Sequence, residues 1–365
     1  MEPNGPSQQP PITAQVVSSG MAADGYPPYR QAIPRRRGGA MAKFIILVLL
    51  GALALSMLIN IALIGETAVS SADTPQEEYF SQDKFREGKD KIAIISVEGT
   101  ILAMEGFVKD QIDQARRDDK VKAVVLRVDS PGGSVAASDY LYHHLSKLRT
   151  ESKKPIVVSM GSIAASGGYY VSMAAGPVEK TVFAEPSCFT GSIGVMIPHY
   201  NLAGLFDKFG IEEDAIVSHR LKDMGSLGRQ MTDEEKAIFQ GLVDESFGRF
   251  KEIIRDNRTT FAKTPEALDK LATGQVYTAQ QAKDGGLIDE IDFIEAAIDR
   301  AIELAGLDPD RVQVIRYLET PSLASLLLGA QAQPRGLDLQ QLFDMSAPKA
   351  YYMATQLPPL VRNAR

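Results

Sequence analysis

With 365 residues, 44% of them hydrophobic, the chain is long enough to bury a substantial core in one large domain or two with appendages. A net charge of −7 and the lack of a basic stripe with interleaved aromatics exclude the common nucleic-acid binders. A single cysteine, Cys188, and four histidines exclude an intrachain disulfide and argue against zinc at its usual ligand spacing.

Residues 1–43 are rich in Pro, Gly, Gln and Ser and have no hydrophobic period, which predicts a disordered tail. Its basic residues Arg30, Arg35, Arg36, Arg37 and Lys43 outnumber Glu2 and Asp24. Residues 44–65, FIILVLLGALALSMLINIALIG, carry no charge over 22 positions. A helix of that length crosses a hydrocarbon core of roughly 30 Å, so a transmembrane anchor in contact with lipid is predicted. Basic residues precede the span, and Glu66, Asp73, Glu77 and Glu78 follow it. The positive-inside rule then leaves the N-terminus in the cytoplasm and the remaining chain outside, periplasmic in a bacterium with an inner membrane. A cleaved signal peptide ending near Ser70-Ser71-Ala72 is the competing reading. The long tail and full-length apolar run favour the uncleaved anchor.

Residues 66–90 read as a polar linker. From Lys91 onward, short apolar runs alternate with helical periodicity. Strands are predicted at 91–99, 121–129, 155–160, 179–185 and 212–219, and helices at 107–119, 134–150 and 234–258. Residues 265–305 look helical with a turn at Gly285-Gly286. Strands separated by helices imply an α/β fold with a parallel sheet and crossover helices. The domain is taken as residues 91–310. The segment 311–365 is assigned no role.

Three stretches are candidates for chemistry. In PIVVSMGSIAASGGYYVSMAA (155–175), Ser166 falls where a strand and tight turn give way to a helix. Unpaired N–H groups there favour a developing alkoxide and oxyanion, yet from this stretch alone a plain helix cap is the favoured reading. In Asp129-Ser130-Pro131-Gly132-Gly133-Ser134, paired glycines let backbone N–H groups approach another segment closely, which suits one arm of an oxyanion hole. The alternative is an ordinary strand-to-helix turn capped by Ser134. In Thr190-Gly191-Ser192-Ile193-Gly194-Val195, Ser192 is either a site hydroxyl or part of a glycine-bulged strand edge. His143, His144, His199 and His219 lack an obvious carboxylate partner, and no GxSxG elbow is present. A lysine can act as the base once its amine is neutral. Lys222 is one candidate, which the residues alone do not single out.

The ordered set DSPGGS, GSIAASGGYY, TGSIGV, Lys222-Asp223 and GQVYTAQQAKDGGLID (274–289) resembles the signal peptide peptidase A (protease IV) family of the Clp/crotonase superfamily, in its half-length membrane-anchored form. The resemblance covers about residues 91–300. It implies a Clp/crotonase-like parallel sheet core with flanking helices and a serine endopeptidase with a Ser-Lys dyad. Ser166 would be the nucleophile, Lys222 the general base and Ser192 the hydroxyl that holds the lysine. Gly133 and Gly167 would be the oxyanion donors, and no cofactor or metal would be required. Cleaved signal peptides and similar apolar peptides would be the substrates. The resemblance also implies a homo-oligomeric dome of about eight subunits, in which neighbouring protomers share each site. A general envelope-protein protease, a crotonase-like acyl-coenzyme A enzyme and an inert membrane scaffold remain as alternatives.

Overall fold

In the computed structural model, which describes residues 43–57, 75–80, 88–319 and 351–353, the longest apolar runs lie side by side in one sheet. Residues 43–57 form a helix, α1, whose large apolar side chains from Phe44 to Met57 are all more than half exposed. Among the described residues no helix is long and apolar enough to cross a membrane. The remainder of the predicted span, 58–65, lies outside the described residues, as does the tail predicted to be disordered, apart from Lys43.

The second unit begins with β1 (Gln76–Tyr79), β2 (Asp90–Glu98), α2 (Phe107–Arg117), β3 (Val121–Ser130) and β4 (Gly132–Ser134). It continues through α3 (Val135–Thr150), β5 (Ile156–Ala165), α4 (Gly167–Ser172), β6 (Val182–Ala184) and β7 (Phe189–Gly191). After α5 (Ala203–Phe209) come α6 (Asp233–Asn257), α7 (Thr259–Lys263), α8 (Pro265–Leu271) and β8 (Val276–Thr278). The last elements are α9 (Ala279–Asp284), β9 (Glu290–Ile291), α10 (Ile294–Ala305), β10 (Val312–Leu318) and β11 (Tyr351–Met353).

The sheet runs β1-β10-β2-β3-β5-β6-β9 and is parallel except where β1 meets β10. Its central strands read as unbroken apolar runs because helices cover both faces. Ala93, Ile95, Val124, Leu126, Val158 and Met160 face α2 and α3, packing with Ile112, Ala115, Leu141, Leu145 and Leu148. The alternate residues Ile92, Ile94, Ala123, Val125 and Val157 meet Ala297, Ile298, Ala301 and Ile302 of α10.

Several elements differ from the sequence reading. Residues 212–219 form no strand; they are irregular and then turn. Their apolar pair points to solvent, Ile216 at 102% and Val217 at 38% exposure, so strand propensity finds no neighbouring strand to satisfy it. The linker contains β1, whose Glu78 carboxylate accepts from Arg316 Nε at 2.7 Å. Residues 265–305 include β8 and β9 among their helices, and the sheet extends past residue 310 through β10. Strand β5 does not stop at Met160 but runs to Ala165.

That extension positions the site. Along one edge, Val158–Met160 pair with β6, and Ile163–Ala165 then pair with β7. β7 in turn pairs antiparallel with β8. One strand thus carries two successive partners on one edge, while on the other edge Ala164 still pairs with Ser130 of β3 after a register shift.

Leu145, fully buried under the sheet, is expected to cost about 2–5 kcal/mol when replaced by alanine. Denaturant unfolding of Leu145→Ala would measure it.

Candidate active site

Ser166 stands between the end of β5 and the first residue of α4. Its backbone has φ 56° and ψ −114°, a left-handed conformation that costs a non-glycine residue about 1–3 kcal/mol. Two main-chain bonds hold it there: its N–H donates to Gly191 O at 2.7 Å, and its carbonyl accepts from Tyr170 N at 2.8 Å. The side chain does not cap the helix. The residue is 1% exposed, and its Oγ is buried with no hydrogen-bond partner. A buried hydroxyl without a partner forgoes about 1–3 kcal/mol. Neither feature is accounted for by a capping role, whereas both suit a hydroxyl awaiting a proton acceptor.

The helix that follows is packed too tightly for side chains at its start. A Cβ on Gly167 would stand 2.5 Å from Ser138 Oγ, 3.1 Å from Gly132 Cα and 3.1 Å from Gly133 N. A Cβ on Gly168 would stand 2.6 Å from Ser130 O. The Gly132-Gly133 arm therefore lies directly against the first turn of α4, and the neighbourhoods of the Gly133 and Gly167 amides coincide. Gly132 has φ 99°, and the Ser130 hydroxyl holds the turn, accepting from Gly132 N at 3.1 Å and donating to Gly99 O. Ile101 braces the other side, donating to Gly132 O at 2.9 Å and accepting from Ser134 N at 2.7 Å. Ser134 caps α3, as the plain-turn reading predicts; the same segment also forms the wall of the Ser166 site.

Ser192 follows β7, whose parallel register pairs Gly191 with Ala165. Ser166 and Ser192 are thus the first residues beyond two adjacent parallel strand ends, where α/β sheets commonly place ligands. Ser192 is 4% exposed, also has a left-handed φ of 49°, and donates its N–H to Gln275 O at 2.7 Å. Cys188 is 1% exposed, and burial pushes its thiol up to about 12. It is a core residue, not a nucleophile.

Within the chain Lys222 makes no hydrogen bond to Ser166, whose Oγ has no partner. It is exposed, in a turn where its N–H donates to His219 O at 2.8 Å. Among the described residues its Nζ has no hydrogen-bond or ion-pair partner. The turn itself is anchored. Arg229 reaches Asp223 at 3.1 Å and Glu235 at 2.6 Å, while Glu235 also accepts from Thr232 N in the capping box that opens α6. The histidines take other places: His143 and His144 pack edge to face on α3, and a His199 ring nitrogen lies 3.3 Å from Ser226 O.

The sequence reading missed two contributors. Ser130 and Ser138 brace the glycines, and their presence in and just after DSPGGS was the available signal. β11 pairs antiparallel with β4, and Tyr352 from it is fully buried. No pattern in its neighbourhood announces it.

Beside the Ile101–Gly133 bridge opens a cavity of about 510 Å³, whose lining includes Ile101, Leu102, Met104, Phe107, Val108 and Leu141. Among the described residues no cluster of His, Cys, Asp and Glu is arranged to hold a metal ion.

Comparison with known proteins matches residues 149–308 to Peptidase family S49. The chain is 35% identical to a putative protease of Synechocystis over 67% of its own length and 84% of that protein. It is 37% identical to Protease 4 of Salmonella typhi over 65% of its length, but this spans only 38% of the Salmonella protein. It is 34% identical to a putative signal peptide peptidase of Enterococcus faecium over 52% of its length and 53% of that protein.

Arg229 and the Thr232 amide hold the Glu235 carboxyl at about 2, below its ordinary 4.5. Stabilisation from this carboxylate is fully present above pH 4.5 and disappears as pH falls through about 2. Urea unfolding should show a constant stability advantage of wild type over Glu235→Gln near neutrality, shrinking across that window.

Proposed function

Since the chain belongs to peptidase family S49 and is a serine-type peptidase, we propose that Ser166 is its nucleophile and Lys222, supplied by a neighbouring protomer, its general base. One observation carries the reading: Ser166, with a buried, unpartnered hydroxyl and a left-handed backbone conformation, stands against Gly132 and directly before Gly167, which itself packs on Gly133 N. Peptidase membership sets aside the acyl-coenzyme A alternative.

The reaction runs through a covalent acyl-enzyme. The Lys222 amine, in its neutral form, takes the Ser166 proton as Oγ attacks the scissile carbonyl. The N–H groups of Gly133 and Gly167 stabilise the oxyanion. The lysine ammonium then protonates the leaving amine, and the same amine later activates the water that releases the acyl group. Ser192, beyond the adjacent strand end, orients the amine through its hydroxyl.

A shared site is supported by the contrast between the sealed Ser166 and the exposed, unpartnered Lys222. The segment leading to Lys222 also displays Tyr200, Leu205, Phe209, Ile211 and Ile216 to solvent, each about half exposed or more. Such a concentration of apolar surface favours association, here a homo-oligomeric ring. The cavity beside Ile101 offers apolar contacts from Leu102, Met104 and Phe107 alongside the charged Glu98, Glu105, Lys109 and Arg316, a mixed lining that would accept an apolar side chain next to polar main chain. With the uncharged run 44–65 as an uncleaved anchor, the enzyme would sit on the extracytoplasmic face of a cell membrane and degrade cleaved signal peptides and similar segments.

Fluorophosphonate labelling followed by peptide mapping should place the adduct on Ser166. Ser166→Ala and Lys222→Ala should each lower kcat/KM on an apolar peptide by on the order of 10⁴-fold or more, with the circular dichroism spectrum unchanged. Co-assembly of the two inactive variants should restore cleavage at sites that draw one intact residue from each; near-normal rates in Lys222→Ala would rule out this base. Gly167→Ala should lower kcat by about 10²–10³, because the added methyl crowds Ser138 and displaces the amide.

A further inference from the structure

We infer that Asp129 is a positioning residue for Ser166: its carboxylate holds a two-residue bulge in β5, and that bulge draws the nucleophile level with the glycine arm. This role presupposes the serine-protease reading of Ser166 and adds what fixes the serine's place along the strand.

The register of β5 against β3 changes part-way along. From Val124 opposite Ile156 to Val128 opposite Met160 the partners differ by 32 positions, and at Ser130 opposite Ala164 by 34. One residue of β3, Asp129, therefore spans the same length as three of β5, Gly161, Ser162 and Ile163. An even number of extra residues restores the alternation of faces. Met160 and Ala164 accordingly both stay in the core cluster that contains Val128. What changes is travel along the strand. At about 3.3 Å per residue, two residues taken up in a bulge shorten the path by roughly 6–7 Å. Continuing the first register would set Ser166 level with Ser134, and continuing the second sets it level with Gly132. The structure has the second arrangement: a Cβ on Gly132 would stand 3.0 Å from Ser166 Cβ and 2.6 Å from Gly167 N.

Asp129 fills the bulge. Its Oδ1 accepts from Ser162 Oγ at 2.7 Å and from Ile163 N at 3.1 Å, so one carboxylate oxygen holds two of the three bulged residues. Gly161 is the third, and a Cβ there would stand 2.9 Å from Arg127 Nη2 and 3.0 Å from Asp129 Oδ2. Arg127 fixes the approach to the bulge. Its Nη1 donates to Ser159 Oγ at 3.0 Å, and its Nη2 pairs with Glu185 at 2.6 Å. Glu185 N in turn donates to Met160 O at 3.0 Å. β6 therefore releases β5 at Met160 and β7 takes it at Ile163, with the bulge between. The Asp129 carbonyl accepts from Gly99 N at 2.9 Å, so the residue that clamps β5 is itself tied down.

Without the carboxylate, the Ile163 amide and the Ser162 hydroxyl lose their acceptor. The bulge then loses the contact that favours it over relaxation of β5 toward the unbulged register, a movement that carries Ser166 away from Gly132. The acceptor does this and not the charge, so an amide oxygen in the same place keeps the arrangement.

Time-resolved fluorophosphonate labelling of the full chain, together with peptide hydrolysis, tests this. A loss of folded protein lowers the extent of labelling and leaves its rate constant alone, whereas a displaced nucleophile lowers the rate constant. Asp129→Ala should reduce the labelling rate constant and kcat by about 10²-fold, the effect of a misplacement of roughly 1 Å, with KM near that of wild type. Asp129→Asn should recover most of that loss. Ser162→Ala removes one of the two bonds from an exposed position, where the fold tolerates it, and should slow labelling by a smaller factor. Wild-type rate constants in Asp129→Ala, or in Ser162→Ala should Asp129→Ala fail to fold, overturn the proposal and leave the protease reading standing. An Asp129→Asn variant as slow as Asp129→Ala overturns it too. A wild-type chain that takes no label on Ser166 removes both.

Discussion

A single main-chain hydrogen bond, from Ser166 N–H to Gly191 O at 2.7 Å, ties the two halves of the site together. It is the last rung of the parallel ladder between β5 and β7, which begins at Ile163 and Phe189. Beyond that rung both chains turn into left-handed conformations at Ser166 and Ser192. Strands side by side in register deliver their next residues side by side, so two serines 26 positions apart in sequence (192 against 166) follow adjacent strand ends. The change of partner along β5, from β6 to β7, makes this possible: the strand's beginning is held by β6 and its end by β7.

Strain at Ser166 persists because its surroundings leave no alternative. Every residue of α4 is buried, and Tyr169 donates its hydroxyl to Leu287 O at 2.8 Å. Gly168 sits against the Ser130 carbonyl and Gly167 against Ser138 and Gly133. Relaxing the serine backbone would push one of these contacts apart or open the core beneath. Steric crowding here excludes larger side chains from Gly132, Gly167 and Gly168, so that backbone lies against backbone.

Local order and local exposure divide along the same boundary. The sheet, α3, α4 and the end of α6 form one continuous apolar cluster, whereas residues 200–222 carry exposed large side chains and an unpartnered lysine. Arg229 ties that exposed segment to the rigid start of α6 through Asp223 and Glu235. An arrangement of this kind presents the lysine outward on an anchored turn. The β4 wall likewise has one side braced by Ile101 and the other open to an extended strand, the side taken by β11.

Sequence alone determined the alternating α/β core, because a strand covered on both faces shows an unbroken apolar run and an amphipathic helix a regular stripe. DSPGGS and GSIAASGGYY marked where backbone must approach backbone, since paired glycines have few other uses. Short strands such as β7 and β8 span too few residues to show a period, and Ile216-Val217 showed strand character that no neighbour uses. Tertiary structure alone decided that Ser166 is unpartnered, that Ser192 follows the adjacent strand end, that Lys222 is exposed, and that Tyr352 packs on Tyr170 and Phe250. These depend on register and on contacts between distant segments, and no local pattern encodes which strand end lies beside which.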